Sequence, residues 1–165
     1  MNDILGQIRL ANESGLYYVA LFTALAVPDI CAALESEDGE TNGTRYRRWF
    51  DEWMPAHYRP FIDGKTCWQF RCSLMHQGST IHNQSRYKRV LFLEPGSSMG
   101  RIHLGDANGA LVIDVVEFCN DIGSAATRWW RDRSANEIVR SNLVMIVARH
   151  ASGISPYIVG APVIG

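Results

Sequence analysis

The sequence carries no signal that would direct it to a membrane or out of the cell. Its N-terminus opens with Asn2 and Asp3 rather than a basic segment, and no small-residue cleavage site follows. The longest apolar run, Leu16 to Val27, is interrupted only by Thr23 and is shorter than the roughly 20 residues that span a bilayer. These absences predict a cytoplasmic protein without a membrane partner, and the run itself predicts a buried helix.

Cysteine is scarce, and no two cysteines have the C-x2-C spacing of most structural zinc sites. Because no secretory signal precedes them, we expect reduced thiols. The four are Cys31, Cys67, Cys72 and Cys119. A small metal-binding regulator is therefore a minor alternative, and its zinc ligands would be Cys67, Cys72, His76 and His82.

No internal repeat, linker or low-complexity tract divides the 165 residues, so a single domain over residues 1–165 is predicted. A hydrophobic fraction of 47% and a charged fraction of 20% are those of an ordinary soluble domain. Apolar residues at helical spacing dominate, which predicts a mainly α (α+β) fold. The predicted helices are Asp3–Ala11, Leu16–Val27, Pro28–Glu35, Thr44–Pro55, Lys65–Gln77, Asp114–Trp130 and Ser134–Arg149.

Four polar residues are predicted to cap these helices, namely Asp3, Thr44, Asp114 and Ser134. The helix from Thr44 also carries an aromatic stripe, which we expect to be core rather than a base-stacking surface. Its members are Tyr46, Trp49, Phe50, Trp53 and Met54.

A small β element is predicted between the helices. Val90–Leu93 reads as a strand, Arg101–Leu104 as its antiparallel partner, and Ala110–Ile113 as a third strand after an Asn108–Gly109 turn. The apolar tail, Gly153–Gly165, is expected to pack as an extended arm on the protein or on a partner.

The overall net charge of −1 conceals a strong asymmetry along the chain. Residues 1–43 carry −6, residues 44–101 carry +6 and residues 102–165 carry −1. A basic block favours a phosphate-bearing partner. The alternative, left open by the sequence, is a solvated face that pairs with the acidic N-terminal third.

The helix Lys65–Gln77 lies inside the basic block and carries the candidate chemistry. On a helical wheel Arg71 falls within the apolar arc, where a guanidinium needs an internal carboxylate, a route to solvent or a ligand phosphate. Ser73 and His76 fall on the other side, and His76 occupies the last turn, where the helix dipole favours a protonated imidazole. Arg71 and His76 are about 140° apart on a regular helix. The wheel therefore predicts either a distorted helix end or a site assembled from two chains.

The run Phe70-Arg71-Cys72-Ser73-Leu74-Met75-His76-Gln77-Gly78 resembles the catalytic motif of the HEPN family, an arginine followed after four to six residues by a histidine. HEPN relatives often carry a polar residue, commonly Asn, directly after the arginine, whereas this chain has Cys72. The resemblance implies a helical bundle, here with a small β-hairpin inserted. It also implies metal-independent cleavage of RNA, in which the 2′-hydroxyl attacks the adjacent phosphate and no cofactor takes part.

Carried over to this chain, the resemblance makes Arg71 a phosphate clamp and His76 the acid and base, in a site that commonly forms where two protomers of a homodimer meet. The RNA backbone would be contacted by neighbouring polar and basic residues, namely Ser73, His82, Arg86, Lys88 and Arg89. His57 and His103 are predicted to be structural or exposed. The competing hypothesis is a non-catalytic HEPN-like binding module, such as an antitoxin or accessory subunit, with the aromatic stripe or the apolar tail as its interface.

Overall fold

A computed structural model describes residues 1–81, 86–96 and 100–165 of the chain. Within these residues the fold is mainly helical with short strands, which confirms the predicted mainly α (α+β) class. The helices are α1 (Asn2–Glu13), α2 (Tyr17–Leu34), α3 (Gly43–Trp53), α4 (Gly64–Gln77), α5 (Val115–Arg133) and α6 (Glu137–Asn142), with 3-10 turns at Ala56–Tyr58 and Leu143–Met145. The strands are β1 (Arg89–Leu93), β2 (Gly105–Ala107), β3 (Ala110–Asp114), β4 (Arg149–His150), β5 (Gly153–Ile154), β6 (Ile158–Val159) and β7 (Val163–Ile164).

The central element is α2, which packs against α1, α3 and α5. The prediction that Pro28 begins a separate helix is wrong, because the residue lies inside one continuous helix. A proline removes one helical hydrogen bond, but burial of both flanking segments outweighs that loss here. Ala24 and Val27 before the proline, and Cys31 after it, are fully buried.

Helix α2 is also long and apolar enough to pass as a membrane span by length and composition. Just over half of its 18-residue window is buried inside the protein, as in the core helix of a soluble domain. This share of burial supports the expectation that the helix belongs to the core.

The aromatic stripe is core, as predicted, since Tyr46, Trp49 and Phe50 of α3 are buried. It is therefore not available as an interface. The prediction that Thr44 caps α3 is wrong. Asn42, not Thr44, accepts hydrogen bonds from the backbone N–H groups of Thr44 and Arg45, because the helix begins at Gly43.

The three-stranded sheet has the order β1-β3-β2. Strand β1 pairs with β3 in parallel, with Val90 opposite Leu111, whereas β2 and β3 form an antiparallel hairpin across the Asn108–Gly109 turn. The predicted turn is thus confirmed, but the predicted antiparallel pairing of Arg101–Leu104 with β1 is wrong. Leu111, Val112 and Ile113 are all buried, so β3 is the central strand and pairs with both β1 and β2. The local sequence of Arg101–Leu104 did not indicate which strand occupies the centre.

Of the two capping residues predicted for α5 and α6, one is right and the other is wrong. Asp114 caps α5 by accepting from the N–H of Glu117, as predicted. Ser134 does not cap α6. Asn136 does so instead, through the N–H groups of Ile138 and Val139, and the helix ends at Asn142 rather than near Arg149. Beyond it the chain forms the 3-10 turn at Leu143–Met145 and two ladders of two residues each, β4 with β7 and β5 with β6.

Candidate functional site

Helix α4 is held in register at both ends by its capping residues. Asp63 Oδ1 accepts from the N–H of Thr66 at 2.8 Å, and Gly78 closes the helix in the left-handed conformation, φ +62°. At Gly64 the helix passes so close to the backbone of Arg47 that a Cβ would collide with it. These constraints set the rotation of α4 and therefore the direction in which its side chains point.

Arg71 points inward and finds a carboxylate there. Its Nη2 atom lies 2.8 Å from Asp29 Oδ2 on α2, and its guanidinium stacks over the Trp68 ring at 5.1 Å from the centroid. Only 18% of the Arg71 side chain is exposed. Of the three outcomes open to an arginine on an apolar face, the internal ion pair is the one the structure shows.

Asp29 is the site residue that the sequence analysis missed. Its carboxylate also accepts a hydrogen bond from the Thr41 hydroxyl at 3.2 Å. Burial raises the pKa of Asp29 above its ordinary value, and the Arg71 guanidinium and Thr41 oppose that shift. A signal was present, since Asp29 is the only charged residue in the otherwise apolar α2.

His76 lies next to the same guanidinium within one chain. Arg71 Nη1 is 3.5 Å from His76 Nε2, at the long end of the hydrogen-bond range. Helix α4 is regular to Gln77, so the predicted distortion of its end is wrong. The wheel compares the directions of Cα–Cβ bonds, whereas these nitrogens lie at the ends of flexible side chains that can bridge the offset.

The arrangement places one guanidinium between a buried carboxylate and an exposed imidazole. Arg71 Nε is buried and has no hydrogen-bond partner in the described part of the chain. Because Asp29 engages Nη2, the side of Arg71 that could bind an anion is Nη1, beside the exposed imidazole of His76.

The other residues of the motif face different surroundings. Ser73 is only 2% exposed, so its wheel position on the polar side was wrong and its hydroxyl does not reach the surface. Cys72 is partly exposed. Cys67 is buried with its thiol 3.4 Å from the Tyr46 hydroxyl, and burial raises the pKa of Cys67 to about 12.

The alternative zinc site is not assembled in the described residues. No group of potential metal ligands found there includes Cys67, Cys72 or His76. His82, the fourth residue of that alternative and one of the predicted RNA contacts, lies outside the residues that the structure describes.

The basic residues after α4 differ in how many contacts their side chains make with the rest of the fold. Arg86 donates to the Pro60 carbonyl oxygen at 2.6 Å and stacks over the Tyr87 ring, so it is partly committed to the fold. Lys88 and Arg89 are exposed. Arg86 also borders a polar groove with Arg59 and Lys65 along the first half of α4.

The ion pairs support the interpretation in which the basic block pairs with the acidic N-terminal third. Arg45 pairs with Asp38 at 2.6 Å, and Arg71 pairs with Asp29, so the acidic N-terminal third does neutralise part of the block. The exposed cations beyond α4 remain a surface that suits phosphate groups.

Comparisons of the chain with protein-family models, with curated proteins and with solved structures found no match. The resemblance to the HEPN family is therefore one of the sequence motif.

Proposed function

We propose that this protein is a metal-independent endoribonuclease of the HEPN type. The observation that carries the proposal is the position of the Arg71 guanidinium, which Asp29 holds on one side while His76 lies 3.5 Å away on the other. An arginine oriented by a buried carboxylate is preorganised to bind a phosphate, since little conformational freedom is lost when the ligand arrives.

The reaction assigned to the site is transfer of an RNA phosphodiester to its own 2′-oxygen. The 2′-oxygen bonds to phosphorus, the bond from phosphorus to the 5′-oxygen breaks, and the products are a 2′,3′-cyclic phosphate and a 5′-hydroxyl. His76 moves the protons, and Arg71 stabilises the charge on the non-bridging phosphoryl oxygens. Asp29 is a positioning residue, because it acts through Arg71 and lies too deep to contact RNA.

RNA approaches the site across the basic segment after α4. Lys88 and Arg89 are exposed and contact the phosphate backbone, while Arg86 contributes less because the Pro60 carbonyl already accepts its hydrogen bond. His82 belongs to the same proposed path. Ser73 is left out of it because of its burial.

The deciding experiment is cleavage of single-stranded RNA in EDTA by wild type and by His76→Ala. We expect wild type to release cyclic-phosphate ends, and the variant to be slower by about 100-fold or more, as loss of an acid–base group predicts. His150→Ala, which removes an imidazole from β4, is the matched control and should cleave like wild type. Circular dichroism checks that each variant is folded. Equal cleavage by wild type and His76→Ala would exclude the assigned role of His76.

A non-catalytic HEPN-like binding module is the second candidate, and the apolar C-terminal segment supports it. Val144 is 83% exposed, and large apolar side chains continue to the end of the chain. Those that are strongly exposed are Val144, Met145, Tyr157, Val159 and Ile164. Such a concentration is typical of an interaction surface.

Under both candidates we propose that the protein is cytoplasmic and that a second copy of the chain covers this segment in a homodimer. Light scattering coupled to size exclusion should give a dimer for wild type and a monomer for the variant Val144→Ser with Met145→Ser. A wild-type monomer at micromolar concentration would exclude the dimer. RNA cleavage by a confirmed monomer would locate the active site within one chain.

A further inference from the structure

Three side chains from distant parts of the sequence converge at a place remote in sequence from the Arg71 motif. His57 lies in the 3-10 turn that follows Pro55, His103 lies in the connection before β2, and Asp121 lies on α5. One ligand atom from each, an imidazole nitrogen or a carboxylate oxygen, lies within 4.8 Å of the other two. Within the described residues this is the group of potential metal ligands that the fold assembles.

His103 is the member whose surroundings require an explanation. Its side chain is only 11% exposed, and neither ring nitrogen has a hydrogen-bond partner among the described residues. The nearest carboxylate, Glu117, leaves 3.9 Å between its Oε2 atom and His103 Nδ1, which is too long for a hydrogen bond. A buried imidazole with both nitrogens unsatisfied is costly, so a partner for it is expected.

Asp121 is oriented toward the cluster by a neighbour. The Tyr58 hydroxyl donates to Asp121 Oδ2 at 2.8 Å, and the ring of Tyr58 also contacts those of His57 and His103. A donor that holds a carboxylate in this way is the usual outer partner of a metal ligand.

The local charge favours a cation. Asp114 at the end of β3 and Glu117 and Asp121 on α5 bring three carboxylates to this region. Arg101 pairs with the first two. Arg101 is bonded to Glu117 at 2.6 Å and does not reach the three-residue cluster in any ion pair of the described residues. Three carboxylates and one guanidinium leave a net negative charge beside the two imidazoles.

We propose that His57, His103 and Asp121 bind a divalent transition-metal ion, Zn²⁺ being the ion of choice. Two imidazoles and one carboxylate form a donor set that suits zinc better than Mg²⁺ or Ca²⁺, which prefer oxygen ligands. Zinc–ligand bonds of about 2.0 to 2.1 Å require ligand atoms about 3.3 Å apart in a tetrahedron. The cluster is wider than this, and the exposed His57 on its short turn is the ligand free to close the gap.

Three protein ligands leave a fourth position for water or for Glu117. The bound ion would tie the 3-10 turn and the connection before β2 to α5, which gives it a structural role. This site is independent of the proposed nuclease reaction, which is assayed in EDTA. The failure of one proposal therefore leaves the other intact.

Isothermal titration of the metal-free, full-length protein with ZnCl₂ tests the site. We expect one ion per chain in wild type, and affinity at least tenfold weaker in His57→Ala and in Asp121→Asn. Tyr58→Phe, which removes only the hydroxyl, should weaken binding about tenfold as an outer-shell change. His150→Ala is the matched control and should bind like wild type. Because His57 is exposed, its variant is expected to fold, and circular dichroism verifies this.

Thermal unfolding provides a second measurement. Zn²⁺ should raise the Tm of wild type and of His150→Ala but leave that of His57→Ala unchanged. Substitution by Co²⁺ should give the visible absorption of a tetrahedral ion in wild type and not in His57→Ala. Absence of zinc binding by wild type, equal affinity in His57→Ala, or equal loss in His150→Ala would each overturn the proposal.

Discussion

Asp29 and Arg71 form a largely enclosed ion pair, with side-chain exposures of 10% and 18%. A pair of this kind contributes little net stability, because the desolvation of two charges offsets their attraction. Loss of one partner is different, since it leaves the other charge enclosed without compensation. The main effect of the ion pair is therefore to orient the Arg71 side chain rather than to stabilise the fold.

A double-mutant cycle on Asp29 and Arg71 compares the loss of one charge with the loss of both. Asp29→Asn should lower the free energy of unfolding by about 2 to 4 kcal/mol, below the range for fully buried pairs because both side chains retain some contact with water. The double variant Asp29→Asn with Arg71→Met should be more stable than the sum of the two single changes predicts, by about 1 kcal/mol or more. Urea denaturation gives all four values. Strict additivity would show that the two charges are not coupled.

Among the elements, α4 matters most because its position presents both Arg71 and His76. Its beginning depends on Asp63, which accepts from the N–H of Thr66. Burial, the largest influence, raises the pKa of Asp63, but hydrogen bonds from Thr66 outweigh it, and the net pKa lies below the usual 3.8. The carboxylate therefore stabilises the folded state above pH 3.8, and this contribution is lost as the pH falls through the lower folded pKa.

Asp63→Ala should accordingly lower the free energy of unfolding by about 1 kcal/mol at neutral pH, the usual effect of removing a helix cap. The difference from wild type should shrink in acid, because wild type then loses its charged cap. Asp63→Asn keeps an acceptor that does not titrate and serves as the control. Its loss of stability at neutral pH should be smaller than that of Asp63→Ala, and the difference between these two variants should not vary with pH. Urea midpoints at several pH values check this. A constant difference between Asp63→Ala and wild type at all pH values would contradict the argument.

At the scale of the whole molecule, the uneven charge distribution determines which surface would meet RNA under the proposed function. Ion pairs with the acidic N-terminal third neutralise Arg45 and Arg71, whereas Lys88 and Arg89 after α4 are among the exposed cations of the block. Binding to phosphates releases counterions, which makes the affinity depend on salt.

Replacing both Lys88 and Arg89 by Ala should reduce the slope of log K against log salt for single-stranded RNA by about 0.7 for each lost phosphate contact. Arg9→Ala, which removes an exposed cation from the acidic third, is the control and should leave the slope unchanged. Fluorescence anisotropy at several salt concentrations measures the slopes. Equal slopes in wild type and the double variant would remove these two residues from the interface.

Much of the fold could be predicted from local patterns. Helical spacing identified the buried aromatic stripe of α3, and capping chemistry located Asp114. The errors arose where a local rule competed with packing. Pro28 was expected to end a helix, yet burial keeps α2 continuous, and Ser134 was expected to cap α6, yet Asn136 does so.

The sequence by itself determined which residues could do chemistry, because residue type and position on a helix are local properties. It marked Arg71 as a charge on an apolar face and His76 as an imidazole at a helix end. Only the tertiary structure decided their partners. Asp29 reaches Arg71 from a helix about forty residues away. His57, His103 and Asp121 come together although the sequence predicted only that the two histidines are structural or exposed. Such contacts depend on how helices pack, which no local pattern contains.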